Sequence, residues 1–270
     1  MAGCRFERWG RLGILAVLCG SGVARAQQVP SLDLRRLSLS TDPRAGLYLE
    51  PPSTPGHLAW NVGVWGSYAK DLVVLQDAAG NDVAVPVEHQ FSVDYLAAIG
   101  LTDRLALGVL LPTVVYQTGD STLELLADAE ALPKSALGDL TITGKGTLVP
   151  SGELGGFSLA LLARATLPTG NAVSYASEGS ATGEGRLLAE LSLVALALRG
   201  TAGASFRNIE RRYAGLEMQH ELPWGAGLTF RPQVLGIDSA GRWEWNVEAH
   251  GAMSLSPGFA QRRESTAAIG

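Results

Sequence analysis

AVPVEHQFSVDYLAAIG, residues 84–100, runs through the join LTDR (101–104) into LALGVLLPTVV (105–115). In the first arm Val85, Val87, His89, Phe91, Val93, Tyr95, Ala97 and Ile99 fall on odd positions, with Glu88, Gln90, Ser92 and Asp94 between them. A period of two puts the first set on one side of a strand and the second on the other. In the second arm Leu105, Leu107, Val109, Leu111 and Val115 share a face, opposite Arg104, Ala106 and Gly108. The short join at Gly100-Leu101-Thr102-Asp103 predicts an antiparallel hairpin. Both arms exceed the usual strand of about five to six residues, so what encloses them decides the architecture.

Outward from this hairpin the same alternation recurs. It predicts strands over 57–68, 139–148, 157–167, 185–195, 201–209, 222–231 and 242–253, nine in all with the two arms. In 157–167, for example, Phe157, Leu159, Leu161, Ala163, Ala165 and Leu167 oppose Ser158, Arg164 and Thr166. The connections alternate in length: 69–82 long, 100–103 short, 117–137 long, 149–155 short, 168–182 long, 196–200 short, 210–221 long, and 232–241 intermediate. Short turns at one end and long loops at the other are the habit of outer-membrane barrels. The expected class is all-β, an antiparallel up-and-down transmembrane β-barrel. Bacterial single-chain barrels have even strand numbers, so nine predicts a barrel incomplete at its C-terminus, with 254–270 a polar irregular tail. Residues 27–56 carry Pro30, Pro43, Pro51, Pro52 and Pro55. Proline withholds a ladder donor, so this segment is expected to be an extended periplasmic leader to the barrel at 57–253.

The N-terminus sets the compartment. Arg5, Arg8 and Arg11 precede an apolar run from Leu12 to Cys19, and Ala24-Arg25-Ala26 closes it. This is the layout of a secretory signal peptide over 1–26, cleaved after Ala26. The apolar run is well short of the roughly 20 residues a membrane helix needs. Both cysteines, Cys4 and Cys19, lie within residues 1–26. The exported chain then has no thiol for a disulfide or a cysteine metal site. Residues 27–270 hold 17 basic and 25 acidic side chains, a net charge of −8. An acidic balance argues against nucleic acid as a partner.

If the apolar faces look outward, lipid solvates them and barrel closure satisfies the backbone. Trp60, Tyr68, Tyr95, Tyr116, Trp224, Trp243 and Trp245 then supply candidates for interfacial girdles. Trp65 alone falls on the polar face of its strand. The opposite, lumen-facing set for transport or pairing is Glu88, Asp94, Arg104, Lys145, Arg164, Arg186, Glu190, Arg207, Arg231, Glu244, Glu248 and His250, with Asp139 beside them. The near balance of sign argues against strong ion selectivity. It suits either a wet pore or a closed lumen filled by paired charges. A soluble exported barrel of lipocalin type would turn the same faces the other way. On the membrane reading, a charge at Leu107 costs about 2–4 kcal/mol, and the same change at Gln90 far less.

Three blocks carry a family resemblance: GLTDRLALGVLLP (100–112), LGDLTITGKGTL (137–148) and LARATLPTG (162–170). They resemble the outer-membrane barrel family named for the MetA pathway of phenol degradation, whose members are described as transporters. STDPRAGLYLEP (40–51) resembles the leader of myxobacterial-type barrels that can precede an OmpA-like domain. The resemblance implies a porin-like or transporter barrel passing small, hydrophobic or aromatic solutes. It also implies outer-membrane lipid and the barrel-assembly machinery as partners. It carries no catalytic residue.

No other motif in the sequence fits a catalytic or metal-binding pattern. GDLTITGK (138–145) departs from a phosphate loop in spacing and has Gly146 where Ser or Thr belongs. His57, His89, His220 and His250 lack metal-ligand spacing. No serine sits at a nucleophile elbow. The sequence therefore predicts no enzyme, no metal and no cofactor. The class alternative to a channel is a structural, OmpA-like envelope barrel with a closed lumen.

Overall fold

A computed structural model describes residues 38–42, 46–76, 79–120, 132–152, 155–208, 211–213, 216–218, 220–237, 243–255 and 264–269. The predicted signal peptide, residues 27–37 and the polar segment 121–131 lie outside them. The strands are β1 (Trp60–Gln76), β2 (Asp82–Gly100), β3 (Leu105–Thr118), β4 (Ala136–Leu137), β5 (Leu140–Val149), β6 (Gly156–Leu167), β7 (Thr182–Ser192), β8 (Leu196–Arg207), β9 (Arg211–Tyr213), β10 (Leu216–Met218), β11 (Glu221–Phe230), β12 (Trp245–Ser254) and β13 (Glu264–Ile269). The order across the main sheet is β1-β2-β3-β5-β6-β7-β8-β11-β12-β13, with β4 added to β3, and β9 and β10 form a separate hairpin. Every pair in this path is antiparallel. The sheet curls into a half-barrel, and among the described residues β1 and β13 do not pair.

The opening stretch forms β2 and β3 in the predicted register, Gly100 opposite Ala106 and Ala97 opposite Val109. Its turn is closed by Leu101 N–H donating to the Leu105 carbonyl at 2.8 Å. Thr102 Oγ1 accepts from the N–H groups of Arg104 and Leu105. Burial follows the period of two: Ala106, Gly108 and Leu110 are buried, whereas Leu105, Leu107 and Val109 are exposed. The exposed apolar face continues through Val62, Val64, Ile142, Leu161, Leu187, Leu198 and Val247. The buried face is polar along most of its length, with Gln90, Ser92, Thr143, Ser158 and Thr201 among its members. Ala160, Leu162 and Leu188 on β6 and β7 form a compact apolar cluster on it.

Several expected boundaries move. Residues 69–82 are mostly strand, because β1 and β2 run on past a register shift between Lys70 and Val73. The turn placed at 196–200 lies at 193–195, where Leu193 N–H donates to the Leu196 carbonyl. The tail is not wholly irregular: Glu264–Ile269 pairs with β12, a tenth strand in the path.

The leader shows the largest difference. It forms no helix or strand over 38–42 and 46–56, as its prolines require. It does not lie outside the barrel, however. Leu39, Ser40, Thr41, Tyr48, Leu49 and Glu50 are buried against the polar face of β5, β6 and β12, and the chain emerges at the β2–β3 turn. There Thr54 Oγ1 donates to the Asp103 carbonyl at 2.9 Å and His57 N–H to Asp103 Oδ1 at 3.1 Å. The physical reason is polar pairing: the inner face carries more charge than strand neighbours satisfy, and the leader brings Glu50 and free backbone N–H groups to it.

Candidate functional site: a charged lumen around a cavity

The strands place alternate side chains on the concave face, and β2, β5, β6, β7, β8, β11 and β12 each contribute ionised groups to the interior. Asp94, Lys145, Arg164, Arg186, Glu190, Glu248 and His250 are all buried there, as is Asp139. They are joined in chains. Glu50 of the leader lies 3.4 Å from Lys145 Nζ and 3.8 Å from Arg164. Arg164 lies 4.0 Å from Glu184, which also pairs with Arg186. Arg199 Nε meets Glu190 at 2.7 Å. Arg207 bridges Glu178 at 3.0 Å and Glu221 at 3.1 Å. At the rim, the half-buried Arg231 and Glu244 pair at 2.9 Å. Burying charge is costly unless partners replace water, and this chain of alternating signs supplies them.

Two predicted lumen residues do not join the set. Glu88 sits beyond the register shift in β1 and is about half exposed, 3.5 Å from His89. Arg104 lies in the four-residue turn, exposed, because the strand begins one residue later. Sequence reasoning missed Arg199, since 196–200 was read as a turn although Leu196, Leu198 and Arg199 continue the strand alternation. It also missed Glu178, Glu184 and Glu221 at strand ends or in loops, and Glu50 and Tyr48 on the leader. Trp65, the residue at odds with an apolar–polar division, lines the interior.

Two segments narrow this interior. Glu248 Oε2 accepts from the N–H groups of Tyr48 at 2.8 Å and Leu49 at 3.3 Å, holding the leader across β12. The Tyr48 ring stacks on His250 with centroids 4.4 Å apart, and the Arg186 guanidinium lies 4.4 Å from its centroid. Burial holds the Tyr48 phenol above its ordinary pKa, outweighing the opposing pull of Arg186. Gly225 makes room for this contact: a Cβ there would stand 2.8 Å from Tyr48 Cε1 and 2.9 Å from Leu49 Cδ2. The second segment is the β6–β7 connection. Asp139 accepts from Ser177 Oγ at 2.7 Å, Glu178 N–H at 2.8 Å and Gly170 N–H at 2.9 Å. Ser174, Tyr175, Ala176 and Ser177 are buried with it. Between leader and loop lies a cavity of about 730 Å³, with Trp65, Leu72, Ser92, Asp94, Arg164 and His250 among its lining residues.

Among the described residues, no three His, Cys, Asp or Glu side chains gather as a metal cluster. His57 contacts the Leu101 carbonyl, His89 the Tyr68 hydroxyl, and His220 lies beside Phe206.

No family model matches this chain, and no curated protein matches it. Among solved structures it is similar to the crystal structure of an outer membrane channel from Pseudomonas putida F1. That similarity has a TM-score of 0.50 and 17% sequence identity, and it covers 81% of this chain and 79% of that one. At this identity the likeness shows the fold: an antiparallel barrel-type sheet shared with an outer-membrane channel.

Proposed function

We propose that this chain is a bacterial outer-membrane β-barrel channel through which small solutes pass, its lumen narrowed by its own leader. The observation that carries the reading is the distribution of polarity. Large apolar side chains such as Val62, Leu107, Leu161 and Val247 face outward, while ionised groups surround an interior cavity of about 730 Å³. A soluble lipocalin-type barrel has the reverse arrangement. An outward apolar band of alternating strand residues is what a bilayer solvates. The partners of this reading are outer-membrane lipid, the barrel-assembly machinery that inserts such proteins, and a small-molecule solute. It assigns no enzymatic step and no cofactor. The signal-peptide layout at 1–26 supports export, and the likeness to the Pseudomonas putida F1 channel supports the outer membrane. The resemblance to the MetA-pathway barrel family adds small hydrophobic or aromatic compounds as a solute class.

A second reading, a closed OmpA-like scaffold, is favoured by one observation: the leader and paired charges fill much of the lumen. Planar-bilayer recording of refolded, heat-modifiable protein separates the two. Stable single-channel steps support the channel, and silence from verified folded protein supports the scaffold.

A further inference from the structure

The apolar outer band does not stop where the strands stop. Leu196, Phe230 and Trp245 stand opposite one another across β8, β11 and β12, and the Phe230 and Trp245 ring centroids are 5.7 Å apart. They continue the row of Leu198, Leu228 and Val247, which faces outward. Two connections carry the apolar surface further. The β7–β8 turn presents Leu193 and Val194, the latter 77% exposed. The β11–β12 connection presents Leu235, Ile237 and Trp243, and Leu235 is 64% exposed. Residues 191–198 and 232–237 hold no ionisable side chain. Strand direction alternates through the antiparallel order, so both connections lie at the end of the sheet that carries the β2–β3 turn. That turn differs in character: after Leu101 it exposes Thr102, Asp103 and Arg104, and Asp103 holds the leader.

Scattered apolar side chains on a surface need no explanation, whereas a contiguous group marks an interaction site. The polar groups beside this one are engaged elsewhere. Leu193 N–H donates to the Leu196 carbonyl at 2.7 Å, Arg231 N–H to the Ala195 carbonyl at 2.8 Å, and Gly236 N–H to the Gln233 carbonyl at 3.0 Å. Arg231 and Glu244 pair with each other and reach Ser192 and Arg199 of the inner face. We infer that the two connections form a foot that inserts among the phospholipids of the periplasmic leaflet, on the side of the barrel built by β7, β8, β11 and β12. The inference rests on the membrane-barrel reading and extends its lipid contact below the strands, onto turns. The occupant follows from continuity: the patch prolongs the lipid-facing row with no charged rim between them, whereas a protein-docking site is bounded by a polar rim. Outward positions of β8 from Leu196 to Phe206 already match the roughly 9–11 strand residues that cross the hydrocarbon. The turn below them therefore falls at the membrane interface, where the indole rings of Trp243 and Trp245 are at home.

Nitroxide labels on single cysteines test this in the exported chain, folded into phospholipid vesicles. Val194→Cys and Leu235→Cys report on the foot, Arg104→Cys on the polar turn and Leu107→Cys on the outward face of β3. Power saturation compares relaxation by oxygen, which concentrates in lipid, with relaxation by a water-soluble nickel chelate. An apolar face lying in the interface sits roughly 5–10 Å into it, so the oxygen-to-nickel ratio at 194 and 235 should exceed that at 104 about threefold or more. If one foot variant does not fold, the other decides. Nickel access at either folded foot site equal to that at 104 overturns the inference, because the turns then stand in water. Shielding from both relaxants at either site overturns it too, because protein then covers the patch. The label at 107 keeps the two claims apart. Lipid exposure there with a watery foot removes the foot alone, and a nickel-accessible label at 107 removes the membrane reading itself.

Discussion

Leu107 and Ser67 occupy neighbouring parts of one sheet but face different media. Leu107 is 44% exposed on the outward side, whereas Ser67 lines the interior cavity. Leu107→Arg should destabilise the folded barrel by about 2–4 kcal/mol if it sits near mid-bilayer, read as a lower urea midpoint for loss of the heat-modifiable band. Ser67→Lys should shift that midpoint far less, since its chain can reach water in the lumen. Gln90, which the sequence offered as the tolerant site, is not one: it is 2% exposed and donates from Nε2 to Gln117 Oε1 at 2.9 Å. Glu248 is the other informative residue. Glu248→Ala leaves the N–H groups of Tyr48 and Leu49 without their acceptor. The leader should lose about 1–3 kcal/mol of anchoring, and single-channel conductance should rise.

At the scale of elements, the leader and the β6–β7 connection decide how open the lumen is. Gly225→Val would drive a side chain into Tyr48 and Leu49, so conductance should increase here also, by displacing the leader from the β11 side. Asp139→Ala removes an acceptor shared by Gly170, Ser177 and Glu178. Limited proteolysis should then cut within 168–181, where the parent protein resists. The strands themselves were legible because a period of two is a local property, and β2 and β3 follow it to within a few residues. The start of β8 was not, because Leu193-Val194-Ala195-Leu196 carries no Gly, Pro, Asn or Asp to mark its turn. The position of the leader was not legible either. Its anchors, Arg164, Lys145 and Glu248, lie some 94 to 200 residues away in sequence, and proline-rich chain has no period to say what it faces. Inner-face charges could be named from alternation, as Lys145, Arg186 and Arg207 were. Their partners Glu50, Glu184 and Glu221 belong to the leader or to strand ends, where alternation gives no direction.

For the whole molecule, the account depends on one inversion: apolar side chains outside, ionised ones within. The parent sequence has cysteines only at Cys4 and Cys19, both inside the predicted signal peptide, so a single introduced thiol can be labelled without background. The direct measurement is quenching of an environment-sensitive label at Leu107→Cys and at Ser67→Cys, in protein folded into bilayers containing brominated lipid. The label at 107 should be strongly quenched by the lipid and barely by aqueous iodide, and the label at 67 should show the opposite. Lipid quenching at 67 with iodide quenching at 107 would mean that the faces are reversed, and would contradict the membrane barrel itself.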